Sequence, residues 1–176
     1  AHAQRDYALA AGVNLIDTAE LYPVPPRPET QGLTESYIGS WLKARGNREK
    51  IVLASKVSGP VRGTDSSIRP QQALDRKNIR AALDASLKRL NTDYLDLYQL
   101  HWPQRATNCF GKLNYQYTDD KATVTLLETL EALTEQVRAG KIRYIGVSNE
   151  TPWGVMRYLQ LAEKHELPRI VSIQNP

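Results

Sequence analysis

The sequence predicts an α/β fold of the (β/α)8-barrel class, with about five of the eight parallel strands present. Three observations support this prediction. Helix-like and strand-like segments alternate along the 176 residues, as repeated βα units require. No G-x-G-x-x-G fingerprint follows any predicted strand, which favours a closed barrel over an open dinucleotide-binding sheet. Ionisable residues also stand at or near the ends of predicted strands, where a parallel barrel carries its active site.

The first third of the chain contains two helices and two strands. Each helix stops at a glycine, and each strand is a short apolar run. The elements are the end of a helix over 2–11 before Gly12, a strand over 13–17, a helix with its apolar stripe over 33–42 before Gly46, and a strand over 51–55.

The rest of the chain continues the same alternation. Its helices have apolar residues three or four positions apart, and one begins at a threonine N-cap followed by proline in the first turn. The elements are a helix over 79–90, a strand over 94–100, a helix over 126–137 before Gly140, a strand over 143–147, a helix from Thr151 and Pro152, and a strand over 170–173.

A complete barrel of this class takes about 250 residues. The chain opens inside a predicted helix and ends at Pro176, directly after a predicted strand. We therefore expect residues 1–176 to form one partial barrel domain that lacks the first strand and the last two.

Two connections are too long to be simple turns. Residues 23–32 include four prolines, which remove backbone donors and restrict φ, so no regular structure is expected there. Residues 102–122 form a second long loop rich in aromatic side chains. Loops on the active face usually shape the substrate site, so we predict that Trp102, Tyr115 and Tyr117 line a substrate pocket. The alternative is that these aromatic rings only fasten the loop to the barrel.

Composition restricts the class of protein. The 23 basic and 19 acidic side chains give a formal charge of +4. The basic residues are spread over predicted helices, which indicates solvated outer faces and no nucleic-acid partner. No apolar run approaches about 18 residues and no signal-like start is visible, so we expect a soluble, cytoplasmic protein without a membrane partner. The single cysteine, Cys109, cannot form an internal disulfide, and no metal site is predicted.

Four ionisable residues carry the prediction of chemistry: Asp17, Tyr22, Lys56 and His101. They should converge, because the carboxyl ends of parallel strands open on one face. An ammonium about 4 Å from a phenol favours the phenolate by roughly 4 kcal/mol at an effective dielectric of about 20, so we expect Lys56 to lower the pKa of Tyr22. Asp17 would keep Lys56 charged, and His101 could hydrogen-bond the oxygen of a bound carbonyl.

Three long segments resemble the signature segments of the aldo-keto reductases. They are residues 12–19 (GVNLIDTA), 87–98 (LKRLNTDYLDLY) and 140–149 (GKIRYIGVSN). The resemblance runs through nearly the whole chain. It implies a (β/α)8 barrel that binds NADPH and reduces an aldehyde or ketone to an alcohol by hydride transfer.

The resemblance also implies a role for each of the four ionisable residues. Tyr22 matches the proton donor, Lys56 the group that lowers its pKa, Asp17 the carboxylate paired with that lysine, and His101 the imidazole that orients the carbonyl. One departure is Pro23, where the family usually has a small residue after the tyrosine; this proline should stiffen the loop.

A second set of matched positions concerns the cofactor. Ser148, Asn149 and Gln174 match positions that hydrogen-bond the nicotinamide carboxamide. From the residues alone, Ser148 and Asn149 would be interpreted as a helix-cap pair. The region that holds the 2′-phosphate in the family is absent from this chain, so the expectation of NADPH rests on the resemblance alone.

Two other functions stay open from the sequence. The first is a cofactor-binding, redox-sensing regulatory subunit with little or no turnover. The second is a lyase or aldolase that uses Lys56 to form a Schiff base. The physiological substrate and the oligomeric state are not predicted.

Overall fold

The structure is a computed structural model that describes residues 1–62, 68–108, 110, 113–115 and 124–175. Helices and strands alternate through these residues. The helices are α1 (His2–Ala10), α2 (Leu33–Arg45), α3 (Arg76–Leu90), α4 (Leu126–Arg138) and α5 (Pro152–Lys164), with a 3-10 turn at Arg48–Lys50. The strands are β1 (Leu15–Asp17), β2 (Val52–Val57), β3 (Leu95–Leu100), β4 (Ile142–Ser148) and β5 (Ile170–Gln174).

The five strands form one parallel sheet in the order of the sequence, β1-β2-β3-β4-β5. The ladder aligns Asp17 with Ala54 and Lys56 with Gln99. It also aligns Ser148 with Gln174 at the far end of the sheet. Sequential parallel order with a helix between neighbouring strands is the arrangement of a (β/α)8 barrel.

The sheet is strongly curled. In a flat sheet β1 and β5 would stand four strand spacings apart, about 19 Å, and one aspartate and one glutamine side chain are too short to cross that gap. The Gln174 Nε2 nevertheless donates a hydrogen bond of 3.3 Å to Asp17 Oδ2. The strands therefore bend into a half-barrel, which confirms the predicted incomplete (β/α)8 fold.

The hydrophobic core lies between the convex face of the sheet and the helices. Apolar residues that alternate along the strands meet the apolar stripes of the helices, and Leu53, Leu83 and Leu133 are fully buried there. The helices approach closely: a Cβ on Gly39 of α2 would overlap the carbonyl oxygen of Arg89 at the end of α3. This layer holds the strands rigidly and so fixes the positions of the polar residues on the concave face.

Three predicted strand ends are wrong. β2 continues past residue 55 and contains Lys56, β4 contains Ser148, and β5 contains Gln174. Each of these polar residues still pairs in the parallel ladder and points to the concave face, and Ser148 and Gln174 are the last residues of β4 and β5. The prediction for α5 is confirmed: Thr151 is its N-cap and accepts from Gly154 N at 3.1 Å, with Pro152 in the first turn.

The connection over 23–32 contains no helix or strand, as its prolines predict. Among the residues that the structure describes, none of the helices is long and apolar enough to cross a membrane.

Candidate active site

Lys56 is the centre of a polar cluster at the carboxyl end of the sheet. Its side chain is 1% exposed, and its Nζ lies 2.5 Å from Asp17 Oδ2. The same Nζ donates to the carbonyl oxygen of Thr18 at 3.0 Å. A buried ammonium needs such partners, since desolvation alone would favour its neutral form. Burial does lower the pKa of Lys56, and the hydrogen bond and charge of Asp17 oppose that change.

Tyr22 lies on the turn after β1, above Lys56. Its ring centroid is 5.4 Å from Lys56 Nζ and 5.6 Å from the His101 ring, which it meets edge-on. The backbone of the turn is held at both sides, because Tyr22 N donates to Ala19 O and Gly32 N donates to Tyr22 O. The structure therefore brings together all four predicted residues of the cluster.

The pKa of Tyr22 differs from the sequence-based expectation. Burial and the negative charge of Asp17 raise this pKa, whereas Lys56 was expected to lower it. The expectation was wrong because it counted the ammonium of Lys56 and left out the burial of the phenol and the charge of Asp17 at the phenol. In the structure Asp17 contacts that ammonium at 2.5 Å and offsets its field at the phenol. In this state Tyr22 is a protonated phenol at neutral pH.

His101 follows β3 directly, and its backbone N–H continues the ladder to Val57 O at 2.8 Å. Burial, followed by the charge of Lys56, lowers the pKa of His101 from 6.5 to about 3. The imidazole is therefore neutral at neutral pH. Its Nδ1 is buried and has no hydrogen-bond partner among the described residues. A neutral ring of this kind can hold a polar atom of a small molecule without adding charge to the site.

Ser148, Asn149 and Gln174 form an amide and hydroxyl cluster beside the four ionisable residues. Ser148 Oγ donates to Gln174 O at 2.9 Å. The Asn149 Nδ2 donates to His101 O at 2.9 Å and to Ser148 Oγ at 3.1 Å. The alternative interpretation of Ser148 and Asn149 as a helix cap is wrong, because Thr151 caps α5. The cluster offers neutral donors and acceptors, the complement of a carboxamide.

Gln99 is a site residue that the sequence analysis missed. It is 3% exposed, and its Nε2 donates to Asp17 Oδ1 at 3.1 Å. The signal in the sequence was its position two residues before His101, which places it on the concave face of β3. An uncharged polar side chain inside an apolar strand is a weaker indication of chemistry than the ionisable residues around it.

Two buried ion pairs surround the site and were also missed. Glu20, 2% exposed, accepts from Arg69 Nη1 at 2.7 Å and from Ser58 N at 2.7 Å, which ties the turn before Tyr22 to the end of β2. Glu150, 4% exposed, accepts from Arg105 Nη2 at 2.5 Å, which ties the loop after β3 to the segment after β4. Their partners are far apart in sequence, so no local pattern indicates them.

An apolar cavity of about 310 Å³ opens next to Tyr22 and His101. Trp102 belongs to its wall and at the same time donates from Nε1 to Pro60 O at 2.8 Å. This residue therefore both lines the cavity and fastens the loop. Among the described residues, the wall also includes Leu21, Val24 and Phe110.

The prediction of a pocket position is wrong for Tyr115 and stays a prediction for Tyr117. Tyr115 is 56% exposed and is not part of the cavity wall; its hydroxyl lies 3.5 Å from Ala106 O, on its own loop. Tyr117 lies outside the described residues.

Comparison with known proteins gives a family match over almost the whole chain. The model of the aldo/keto reductase family matches residues 2–176. Protein tas of Escherichia coli strain K12 is 73% identical over 176 residues, which are 100% of this chain and 51% of that protein. The uncharacterized oxidoreductase YrpG of Bacillus subtilis is 36% identical over 171 residues, 97% of this chain and 46% of that protein.

The name of a more distant relative describes a reductase. Norsolorinic acid reductase B of Aspergillus parasiticus is 33% identical over 172 residues, 96% of this chain and 38% of that protein. The chain thus spans about half the length of protein tas and of YrpG, and less of the fungal reductase.

Proposed function

The chain belongs to the aldo/keto reductase family, and on that premise we propose that its gene product is an NADPH-dependent reductase of aldehydes or ketones. The observation that carries the proposal is the convergence of Asp17, Tyr22, Lys56 and His101 at the carboxyl end of a curled parallel sheet. In this proposal hydride goes to the carbonyl carbon, and Tyr22 protonates the carbonyl oxygen.

Three side chains near Lys56 have hydrogen-bonding groups that fit a nicotinamide cofactor. When bound, NADPH supplies the hydride. The side chains of Ser148, Asn149 and Gln174 would hold its carboxamide, because together they present the hydroxyl and amide groups that such a planar group pairs with. All three lie at the same end of the sheet as Lys56, next to the ionisable cluster.

Tyr22 is suited to give up a proton only when the oxygen of the substrate takes on negative charge. Its raised pKa keeps the proton on the phenol in the resting state. As the hydride transfers, the developing alkoxide is a much stronger base than the carbonyl, and the proton moves to it. The phenolate then left behind is stabilised by the ammonium of Lys56, which Asp17 keeps charged.

His101 orients the carbonyl in this proposal. Because its pKa is lowered to about 3, the ring is neutral and can donate one hydrogen bond to the carbonyl oxygen without competing as an acid. Its contact with the Tyr22 ring directs both groups toward the same small volume.

The substrate would enter through the apolar cavity. Its wall combines Tyr22 and His101 with apolar and aromatic side chains, so the carbonyl would meet the proton donor while its hydrocarbon part contacts Trp102 and Phe110. We therefore propose a small-molecule carbonyl compound with an apolar substituent as the substrate.

The test is NADPH-dependent reduction of a panel of aldehydes and ketones by the full gene product. Tyr22→Phe removes the acidic proton and keeps the ring, so turnover should fall by about 10²- to 10⁴-fold while cofactor affinity stays nearly constant. Tyr37→Phe is the matched control, since Tyr37 is half exposed on α2 and should tolerate the same change.

Two results would contradict parts of the proposal. Full turnover in Tyr22→Phe would reject the proposed proton donor. Cofactor binding by the wild-type protein with no turnover on any carbonyl would instead favour the regulatory, redox-sensing role.

A further inference from the structure

Gln99 occupies an unusual position on the concave face. It lies in β3, in register with Lys56 of the neighbouring strand β2, and its side chain is almost completely buried. A buried amide must satisfy its donors and acceptor within the protein. The side chain lies across the sheet because Gly146 of β4 leaves room for it: a Cβ at that glycine would be 3.0 Å from Gln99 Cγ.

The amide of Gln99 contacts the carboxylate of Asp17 on the side away from Lys56. Gln99 Nε2 donates to Oδ1 at 3.1 Å, whereas Lys56 Nζ and Gln174 Nε2 both donate to Oδ2, at 2.5 Å and 3.3 Å. Among the described residues, Gln99 is thus the donor that holds Oδ1. The carboxylate is clamped between two strands, β2 and β3, neither of which is its own.

Asp17 needs this clamp because its own strand gives it little support. β1 has three residues and pairs only with β2 within the described sheet, and the Asp17 side chain is 31% exposed. Without a donor on Oδ1, the Asp17 side chain could rotate to another rotamer and turn its carboxylate away from Lys56. The Lys56 ammonium would then lose the partner that keeps it charged.

Gln174 connects this clamp to the proposed cofactor site. Its Nε2 donates to Asp17, and its Oε1 lies 3.5 Å from Gln99 Nε2, so both ends of its amide face the cluster. In the proposed function the same amide holds the nicotinamide carboxamide. A Gln174 side chain that turns to the cofactor gives up contacts to Asp17 and Gln99.

From these contacts we propose that Gln99 is a positioning residue of the reductase, whose amide keeps the Asp17 carboxylate on Lys56 while Gln174 turns to the cofactor. The inference rests on the proposed function. Gln99 acts through Asp17 and does not contact substrate. It makes the geometry of the proton-donating cluster independent of whether the cofactor is bound.

Charged and titratable groups of the described residues face this position from several elements. Asp17 comes from β1, Lys56 from β2, His101 from the end of β3 and Tyr22 from the turn after β1. The nearby Glu20 forms an ion pair with Arg69. A new carboxylate at position 99 would lie against Asp17, and where both carboxylates are ionised it would add negative charge beside Lys56 and Tyr22.

The experiment compares two substitutions in the full gene product, with steady-state reduction measured as a function of pH. Gln99→Leu keeps the volume and removes the donor; kcat should fall about tenfold with little change in the KM of the carbonyl. Gln99→Glu adds a carboxylate beside Asp17, and the alkaline limb of kcat should move to higher pH because the phenol of Tyr22 holds its proton more tightly. Gln136→Leu and Gln136→Glu are matched controls, since Gln136 is buried on α4 outside the site.

A purely structural role predicts a different pattern. Both Gln99 variants would then lose thermal stability, yet kcat per folded molecule of Gln99→Leu would match the wild type, and the inference would be overturned. An equal shift of the alkaline limb in the Gln136 variants would overturn it as well.

A second measurement separates this inference from the proposed function, because it does not need turnover. The Kd of NADPH is measured for the wild type, Gln99→Leu, Gln174→Leu and the double variant. The effect of Gln99→Leu should differ at least threefold between the two Gln174 backgrounds, since the residues share Asp17. Additive effects would reject the link between them, whatever the outcome of the turnover assay. A wild-type protein that neither binds NADPH nor reduces a carbonyl would reject the proposed function, and this inference with it.

Discussion

His101 shows how burial decides the chemistry of a single residue. An exposed histidine would carry partial charge near neutral pH, but burial and the Lys56 charge lower the pKa of His101 to about 3. The folded protein therefore does not bind this proton between about pH 6.5 and 3, whereas the unfolded chain does. The free energy of unfolding must fall as the pH falls through that window, by about 1.4 kcal/mol per pH unit.

This linkage gives a prediction for acid stability. Between pH 6.5 and 5 the wild type should lose about 2 kcal/mol more unfolding free energy than His101→Leu, because the variant lacks the group that the unfolded chain protonates. Urea unfolding at the two pH values measures the difference. His165→Leu removes an exposed histidine and should keep the wild-type slope; equal slopes in wild type and His101→Leu would contradict the buried, neutral state of His101.

The pKa of Tyr22 is likewise set by burial and nearby charge. Counting Lys56 alone predicts a lowered pKa, whereas the structure partly buries the phenol and places the charge of Asp17 near it, and the pKa rises. Residue types at strand ends were sufficient to predict which groups meet. They were insufficient for the direction of a pKa, which depends on the sum of burial and of every nearby charge.

At the scale of elements, the contact between α2 and α3 supports the sheet beneath the site. Gly39 of α2 lies so close to α3 that an added Cβ would overlap the carbonyl oxygen of Arg89 and lie 2.7 Å from the carbonyl carbon of Leu90. Both neighbours are backbone atoms and cannot move without shifting a helix.

The substitution Gly39→Ala therefore compares the gain in helix propensity with the cost of separating two closely packed helices. Propensity alone favours alanine inside a helix by about 1 kcal/mol. We expect the opposite sign, a loss of about 1–3 kcal/mol, because the two helices must separate. Chemical denaturation measures it, with Gly46→Ala as a control of conformational cost alone, since that position is open but left-handed. A stabilised Gly39→Ala protein would show that the helices do not pack this closely.

Element boundaries were the least accurate part of the sequence analysis. Helix ends that Thr151, Gly46 and Gly140 signal locally were predicted well, whereas α3 begins at Arg76, three residues before its predicted start. Strand ends were predicted too early at Lys56, Ser148 and Gln174. A polar residue on the concave face of a barrel has the same ladder hydrogen bonds as an apolar one, so polarity does not mark the end of the strand.

At the scale of the whole molecule, the curled sheet has two different inner regions. Its carboxyl end carries the polar cluster, while its amino end exposes apolar side chains: Leu15 is 56% exposed and Tyr144 58%. Within the described sheet, β1 and β5 each also pair on one side only. Exposed apolar faces and open strand edges both favour association with other chains.

We therefore predict that a preparation of these 176 residues alone associates as its concentration rises. Sedimentation velocity over a roughly hundredfold concentration range measures this. Leu15→Lys should weaken the association, because it places a charge on the exposed inner face next to the edge, whereas Tyr7→Lys on the outer helix α1 should not. A monomer at every concentration would contradict the prediction.

By itself the sequence determined the fold class and the meeting place of the ionisable cluster. Alternating helix and strand patterns require parallel βα units, and such units bring Asp17, Lys56 and His101 to one face. Only the tertiary structure decided that Gln174 reaches Asp17, that Gln99 clamps the carboxylate, and that the pKa of Tyr22 rises. The reason is physical: local patterns report periodicity and burial, whereas contacts between distant strands depend on how far the sheet curls.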